Sequence, residues 1–417
     1  MNVTTSIGVN PFLDPIDRML AEIAFSIQLP PSLHAKAVSR YEAVRKYLEG
    51  TVAFYDGVEH FYPQGSMAID ATISTRGTDD EYDIDIIAQL GGRFRYMEPL
   101  DVLKELEEAL DGYRGLKVSR QTRCVTLHYA DNMHLDISPV VRQYCTPERQ
   151  SWITNAKGPG YSADDRMVPT NAFAFVEWYK DKTPNETIVR EAFHNRWLDE
   201  MKFRAEAEVD DVPDQTHFGV KSMATLALQL VKRYRNIRYS DPRRSGRMPP
   251  SVMLAYYAAK TSRPGQKLTE ALETVCNAII ADIQVASSRG HLLHVENPEY
   301  GDDVFTDRWP ANLAQQNQFA MDLNLLVAAL RGLRTNTVKL TDFPEVLKEL
   351  FGDRVVTSAI HRVAVEHGNA IKGATQTYTN RGGLLTAPAL IVPATPAVSK
   401  TLSSVKPTSH TFFGDAP

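Results

Sequence analysis

The sequence predicts an α+β fold, with a mixed-sheet core in the first part of the chain and a helical lobe after it. Two patterns carry this expectation. Strand-like runs occur at Ile84 to Leu90, Lys117 to His128 and His134 to Val141, and beyond Tyr161 the apolar residues fall at helical spacing. The composition agrees, since 417 residues with 43% apolar and 23% charged side chains describe a globular chain long enough for about two to three domains.

In chain order, residues 31–49 place apolar side chains at helical spacing, with prolines ahead and Gly50 behind, as a long amphipathic helix requires. From about 60 to 92 a turn-rich stretch, PQGSMAIDATISTRGTDDEYDID, gives way to the apolar run Ile84, Ile86, Ile87, Leu90, closed by Gly91-Gly92. Residues 99–111 read as a helix and 117–128 as one strand, followed by the small loop at Asp131-Asn132 and the strand HLDISPVV. Helices are then expected near 169–181, 187–206, 218–237, 250–261, 267–288, 312–331 and 354–371. The stretch from about 386 is rich in Pro, Ser and Thr and too poor in bulky side chains to build a core. The domains expected are therefore 1–165, a core with N-terminal helices, 166–385, a helical lobe, and 386–417, a draped or disordered tail.

Charge and cysteine content exclude several classes of function. Lys plus Arg number 46 against 51 Asp plus Glu, a net charge of -5, so no general field exists to gather nucleic acid or an anionic membrane. Cys124, Cys145 and Cys276 are too few and too scattered for a disulfide framework or a zinc site, which suggests a reducing cytoplasm. The first twenty residues lack a basic start and an apolar run, so no secretory signal is read there, and no segment reaches the ~20 apolar residues of a membrane span. No Ser-His-Asp order, His-Glu-x-x-His or Walker A pattern supports a hydrolase or P-loop reading.

Chemistry is concentrated in one constellation. Gly65-Ser66 is followed after sixteen residues by Asp83-Ile84-Asp85, and Asp136 stands in the later strand His134 to Ser138. Alternation on a strand turns Asp83 and Asp85 to one face while Ile84 and Ile86 enter the core, and an adjacent 134–140 strand would bring Asp136 beside them. Such like charges need cations, and oxygen-only ligands suit Mg²⁺ or Mn²⁺, hard ions that also bind phosphates. Two such ions would serve an attacking hydroxyl and a leaving pyrophosphate. Gly65 allows close backbone approach and Ser66 offers a hydroxyl and amides to phosphate oxygens, so the implied reaction is nucleotidyl transfer.

The segments PQGSMAIDATIS, EYDIDIIAQL and HLDISPVV resemble those of the DNA polymerase β-type nucleotidyltransferase superfamily. Within it the likeness, over roughly residues 30–370, is to the bacterial cGAS/DncV-like nucleotidyltransferases (CD-NTases) of the anti-phage systems known as CBASS. The resemblance implies a bilobed fold with the active site in the cleft, ATP and GTP as substrates, and a cyclic di- or trinucleotide second messenger for a signalling effector protein in antiviral defence. It implies that Asp83 and Asp85 hold both metals, and that Asp136 completes one site and helps deprotonate the attacking ribose hydroxyl. LQLVKRYRNI and MPPSVMLAYYA resemble the stretch that supplies a Lys and a Ser to the donor triphosphate, which nominates Lys232 and Ser251. VENPEYGDDVFTDRWP resembles another family segment, in which Asn297, Pro298 and Trp309 are read as structural.

The chain also departs from the family. Asp70 stands where some relatives have Gly, and Val252 where oligoadenylate-type enzymes have a base-stacking Tyr, leaving Tyr256 or Tyr257 as substitutes or as core. Without a Cys/His zinc insertion no DNA activator is expected, and a monomer is. The run 232–247 holds seven Lys/Arg and is read as a solvated helix end that lends potential to the pocket. Asp79, Asp80 and Glu81 are read as loop solvation, and His134 as a structural histidine. The competing functions are a same-superfamily transferase acting on RNA or another acceptor, and a catalytically silent nucleotide-binding protein.

Overall fold

The computed structural model describes residues 12, 14–55, 57–73, 82–186, 221–244, 246–335, 337, 340–372, 378–379 and 404–405. Two helices come first. Helix α1 (Pro15–Ile27) starts where the Asp14 carboxylate accepts the Ile16 amide at 2.9 Å, and α2 (Pro31–Glu49) runs between the prolines and Gly50 anticipated from sequence. Strand β1 (Val58–Pro63), the one-turn helix α3 (Gly65–Ala68) and β2 (Tyr82–Leu90) follow, then α4 (Pro99–Leu110). The next strands are β3 (Lys117–Arg120), β4 (Val125–His128), β5 (Met133–Arg142), β6 (Ser151–Asn155) and β7 (Arg166–Thr170).

These strands form one mixed sheet in the order β1-β2-β5-β4-β3, with β6 on the far end of β5 and β7 beside β6. Only β2 and β5 are parallel, which is why a helix and a hairpin intervene between them in sequence. The expected single strand over 117–128 is instead a hairpin. The polar residues Gln121 to Arg123 turn the chain, and the Gln121 amide donates to the Cys124 carbonyl at 2.7 Å. Strands β1, β6 and β7 are too short to raise a clear alternation in the sequence.

The expected second-half helices appear as α5 (Ala172–Lys182), α6 (Met223–Tyr239), α7 (Ser251–Lys260), α8 (Leu268–Ser288), α9 (Leu313–Arg334) and α11 (Asp353–Lys372), the last named after an unanticipated α10 (Phe343–Phe351). A small ribbon, β8 (Glu296–Asn297) and β9 (Tyr300–Val304), lies between α8 and α9. The helix expected at 187–206 and most of the tail from 386 lie outside the described residues, as do Asp79, Asp80 and Glu81. Among the described residues no helix is long and apolar enough to cross a membrane.

Two apolar clusters explain why the chain folds this way. In the first, Ile84 and Ile86 of β2 and Leu135 and Ile137 of β5 bury against Val44 and Leu48 of α2 and Val102 and Leu106 of α4. Each such side chain contributes roughly 1.5–3 kcal/mol, and together they force the alternating Asp residues of β2 and β5 onto the opposite face. In the second, α1 joins the later helices, with Leu20 and Ile23 among Leu226, Leu230, Leu272, Ile279 and Leu323. Asp17 of α1 accepts the Thr269 amide at 2.7 Å and so caps α8 from another part of the chain. Inside the same layer the buried Asp322 takes both Nη atoms of Arg244, at 2.5 and 2.6 Å, while its backbone carbonyl accepts the Tyr234 hydroxyl.

Because removing Asp322 strands a half-buried guanidinium, Asp322→Ala is expected to lower unfolding stability by about 3 kcal/mol. Urea titration checks this, and a loss below about 1 kcal/mol would show that the pair contributes little.

Candidate active site

On β2 the side chains of Asp83 and Asp85 point to the same side, and the parallel register sets Asp85 directly opposite Asp136 and Asp83 opposite His134. All three aspartates line a cavity of about 550 Å³, together with Gly65, Ser66, Lys232 and Ser251. Thr126, opposite Asp136 on β4, donates its hydroxyl to Asp136 Oδ1 at 2.6 Å and fixes that carboxylate. His134 sits edge-on to His128, ring centroids 4.8 Å apart, and does not line the cavity.

The turn beneath the carboxylates hangs on β2. The Gln64 amide donates to the Asp85 carbonyl at 2.9 Å, and Gly65 follows with φ +58°. A Cβ at Gly65 would stand 2.5 Å from Asp85 Oδ2, so both the backbone angle and the close approach demand glycine there. The loop after the turn is gripped from the helical side. Lys221 Nζ donates to the Asp70 carbonyl at 2.9 Å, Lys232 Nζ to that of Ala71 at 2.8 Å and Gln229 Nε2 to that of Thr72 at 3.4 Å. Asp70 itself has φ 55°, a left-handed angle natural to glycine, and its carboxylate lies 3.2 Å from Lys221 Nζ.

Burial, reinforced by Asp136 and Asp83, pushes the Asp85 carboxyl up to about 7, with Lys232 pulling the other way. Lys232 is pushed down to about 7 by burial and by Arg235, against the pull of Asp85 and Asp83. The Cys124 thiol is raised by burial and then by Asp136 and Asp85. A buried carboxylate beside two others is costly, and a divalent cation among them would remove the cost. Among the described residues no group of three His, Cys, Asp or Glu side chains is placed to hold a metal ion by itself. The oxygen-only donor set fits Mg²⁺ or Mn²⁺.

Ser251 is the first residue of α7, and its Oγ accepts from Arg235 Nη1 at 3.0 Å. Arg235 also bonds the Pro249 carbonyl at 2.7 Å, and its burial pushes the guanidinium down to about 10. The basic run 232–247 is therefore not simply a solvated helix end. Lys232, Arg233 and Arg235 are buried, Arg244 is bound to Asp322, and Arg247 lines the cavity rim. The cause is that α6 sits against two other layers, so its polar residues face inward to carbonyls. Arg235 was visible within that run, whereas Arg123 and Arg308, which also line the cavity, carried no sequence pattern.

The remaining nominated residues are structural or distant. Asn297 donates to the Asn171 carbonyl and to Asp303, both at 3.0 Å, and Trp309 is buried edge-on to Phe319 at 5.7 Å while closing one cavity wall. Neither Tyr256 nor Tyr257 reaches the cavity. Tyr256 stacks on Trp178 at 5.8 Å and Tyr257 donates to Asp282 at 2.8 Å, so the wall there is Val252.

Residues 16–182 match the family described as the Second Messenger Oligonucleotide or Dinucleotide Synthetase domain. The chain is 45% identical over 411 residues, 97% of its length and 96% of the relative's, to the cyclic dinucleotide synthase CdnG of Bradyrhizobium diazoefficiens. It is 23% identical over 299 residues, 70% of this chain and 73% of the relative, to a c-di-GMP synthase of Roseivirga ehrenbergii. The solved structure of B. diazoefficiens CdnG in complex with GTP superposes with a TM-score of 0.71 at 44% identity, covering 84% of this chain and all, 100%, of that one. E. coli MS115-1 CdnC with ATP superposes at 0.54 and 16% identity, covering 80% and 96%, a likeness of fold.

The raised Asp85 carboxyl has a consequence for stability. Between its ordinary value of 3.8 and about 7 the folded chain holds a proton that the unfolded chain has lost, so this group subtracts stability as pH rises through that window. In metal-free buffer Asp85→Asn is expected to melt roughly 2 °C or more above the wild type at pH 8 and together with it near pH 4. Equal melting temperatures at pH 8 would contradict the electrostatic account.

Proposed function

The chain belongs to the CD-NTase family of nucleotidyltransferases, synthases of cyclic oligonucleotides, and from that premise we propose that it joins two purine nucleoside triphosphates, GTP among them, into a cyclic dinucleotide. The observation that carries this reading is the convergence of Asp83, Asp85 and Asp136 on one cavity wall beside the Gly65-Ser66 turn and a buried lysine. The choice of GTP rests on the 45% identical synthase, whose structure was solved with that nucleotide.

In each transfer a ribose hydroxyl oxygen forms a bond to the α-phosphorus of the donor, the bond from that phosphorus to the pyrophosphate breaks, and the hydroxyl proton leaves to a base. Asp136, with one oxygen held by Thr126, is oriented to take that proton. Asp83, Asp85 and Asp136 would hold Mg²⁺, or Mn²⁺ in its place, which supplies positive charge to the attacking oxygen and to the departing pyrophosphate. Ser66 and the backbone of the turn receive phosphate oxygens, and Gly65 keeps that backbone close to Asp85. Lys232 acts in two ways: it ties the Ala71 carbonyl and sets positive charge behind the donor phosphates. Ser251, held by Arg235 at the first turn of α7, faces the same space. A second transfer closes the ring.

Family membership supports the rest of the reading. The product is a second messenger for an effector protein in antiviral defence, made in the cytoplasm by a monomer that needs no DNA activator. A cyclic trinucleotide is the variant product that mass spectrometry would separate.

The decisive experiment incubates the purified chain with ATP, GTP and Mg²⁺ and follows pyrophosphate release and phosphatase-resistant product by mass spectrometry. We expect a cyclic purine dinucleotide, lost on Asp83→Ala with Asp85→Ala; a wild type that makes no product under Mg²⁺ or Mn²⁺ overturns the assignment. In the same assay Gly65→Ala, which drives a methyl group against Asp85, is expected to cost about 10²-fold in turnover.

A further inference from the structure

Besides Lys232 and Arg235, the basic side chains that line the cavity gather on one wall. Arg123, Arg247 and Arg308 line it together, with Asp307 and Asp303 as acidic neighbours, and Asp303 already accepts from the Asn171 amide and Asn297 Nδ2, both at 3.0 Å. Asp307 is already taken, since Arg123 donates to it and, through Nε, to Asn155 Oδ1 at 2.9 Å. Arg247 and Arg308 make no hydrogen bond or ion pair with any described residue, and Arg247 is exposed at the rim. Burial, then Arg123 and Arg247, push the Arg308 guanidinium down to about 10, against the weaker pull of Asp307.

A neutral base would not offset this repulsion, whereas a polyanion would. The donor triphosphate has its own cation, because Lys232 feels the charges of Asp85 and Asp83. Arg123 and Arg308 stand toward Asp136 instead, since the Cys124 thiol next to Arg123 feels the charges of both Asp136 and Arg308. Arg123 lies in the turn between β3 and β4, three residues before the Thr126 that bonds Asp136. In the reading above, Asp136 receives the proton of the acceptor hydroxyl, so the anion within reach of this wall belongs to the acceptor nucleotide.

We propose that Arg123, Arg247 and Arg308 form a subsite for the 5′-triphosphate of the acceptor nucleotide, separate from the cradle of the donor. The inference rests on the proposed nucleotidyl transfer and adds which end of the second substrate is recognised. It makes the enzyme discriminate among acceptors by phosphorylation state, favouring a triphosphate over the bare nucleoside. Exposure of Arg247 keeps the grip open to solvent, which suits a triphosphate that must leave this wall when the linear intermediate turns to become the donor.

The test uses 2′,3′-dideoxy-GTP, which donates but has no hydroxyl to accept, with either GTP or guanosine as acceptor, and compares initial rates of linear product. The wild type is expected to prefer GTP by tenfold or more. In Arg308→Gln and Arg247→Gln that preference should fall by about tenfold, while Arg308→Lys should retain part of it. An unchanged preference, or equal losses for both acceptors, overturns the proposal. Arg247→Gln carries the test if the less exposed Arg308 cannot be replaced without unfolding. If the wild type transfers nothing, the reading of nucleotidyl transfer fails separately, and calorimetry with GTP decides this one. Two binding events reduced to one in Arg308→Gln support the subsite, whereas unchanged stoichiometry, or a single event in the wild type, overturns it.

Discussion

The constraint on which this molecule turns is electrostatic crowding on one face of a sheet. Three carboxylates are set side by side because β2 and β5 run parallel in a register that pairs Asp85 with Asp136. That register is held by apolar burial on the opposite face, where Ile84, Ile86, Leu135 and Ile137 have no other place to go. The folding energy of one side of the sheet is thus what keeps mutually repelling groups together on the other. A slip of a single residue would turn the carboxylates inward and the isoleucines outward, which the core forbids.

The second half of the chain does not simply roof the site. Lys221, Gln229 and Lys232, all at the start of or within α6, bond three successive carbonyls of the loop that follows Gly65-Ser66. The position of the turn is therefore set jointly by β2, through the Gln64 amide, and by α6, through three side chains. A buried lysine so employed has a restricted geometry, which makes it a strut for the turn, and its protonated form a source of charge at a fixed place near phosphate.

Much of this was legible in the sequence. The carboxylates, the Gly-Ser turn, Lys232 and Ser251 were nominated from spacing and resemblance, and they surround one cavity. Local periodicity also found most of the helices, because amphipathic spacing is a local property. What the sequence concealed depended on long-range partners. The strand 117–128 broke where three polar residues could turn, α1 joined helices more than two hundred residues away, and the basic run was buried because backbone carbonyls from other layers met it. Arg123 and Arg308 show the same limit, since isolated arginines 185 positions apart acquire meaning only when a sheet turn and a loop bring them to one wall.

The backbone angle at Asp70 ties two remote positions into one heritable unit. Glycine would adopt φ 55° without strain, so by itself the exchange Asp70→Gly eases the chain. It would also leave Lys221, only 3% exposed, with a charge and no carboxylate among the described residues to meet it. A lineage drifting toward glycine at this place must therefore discard or redirect the lysine in the same passage, and each single step crosses less favourable ground than the pair.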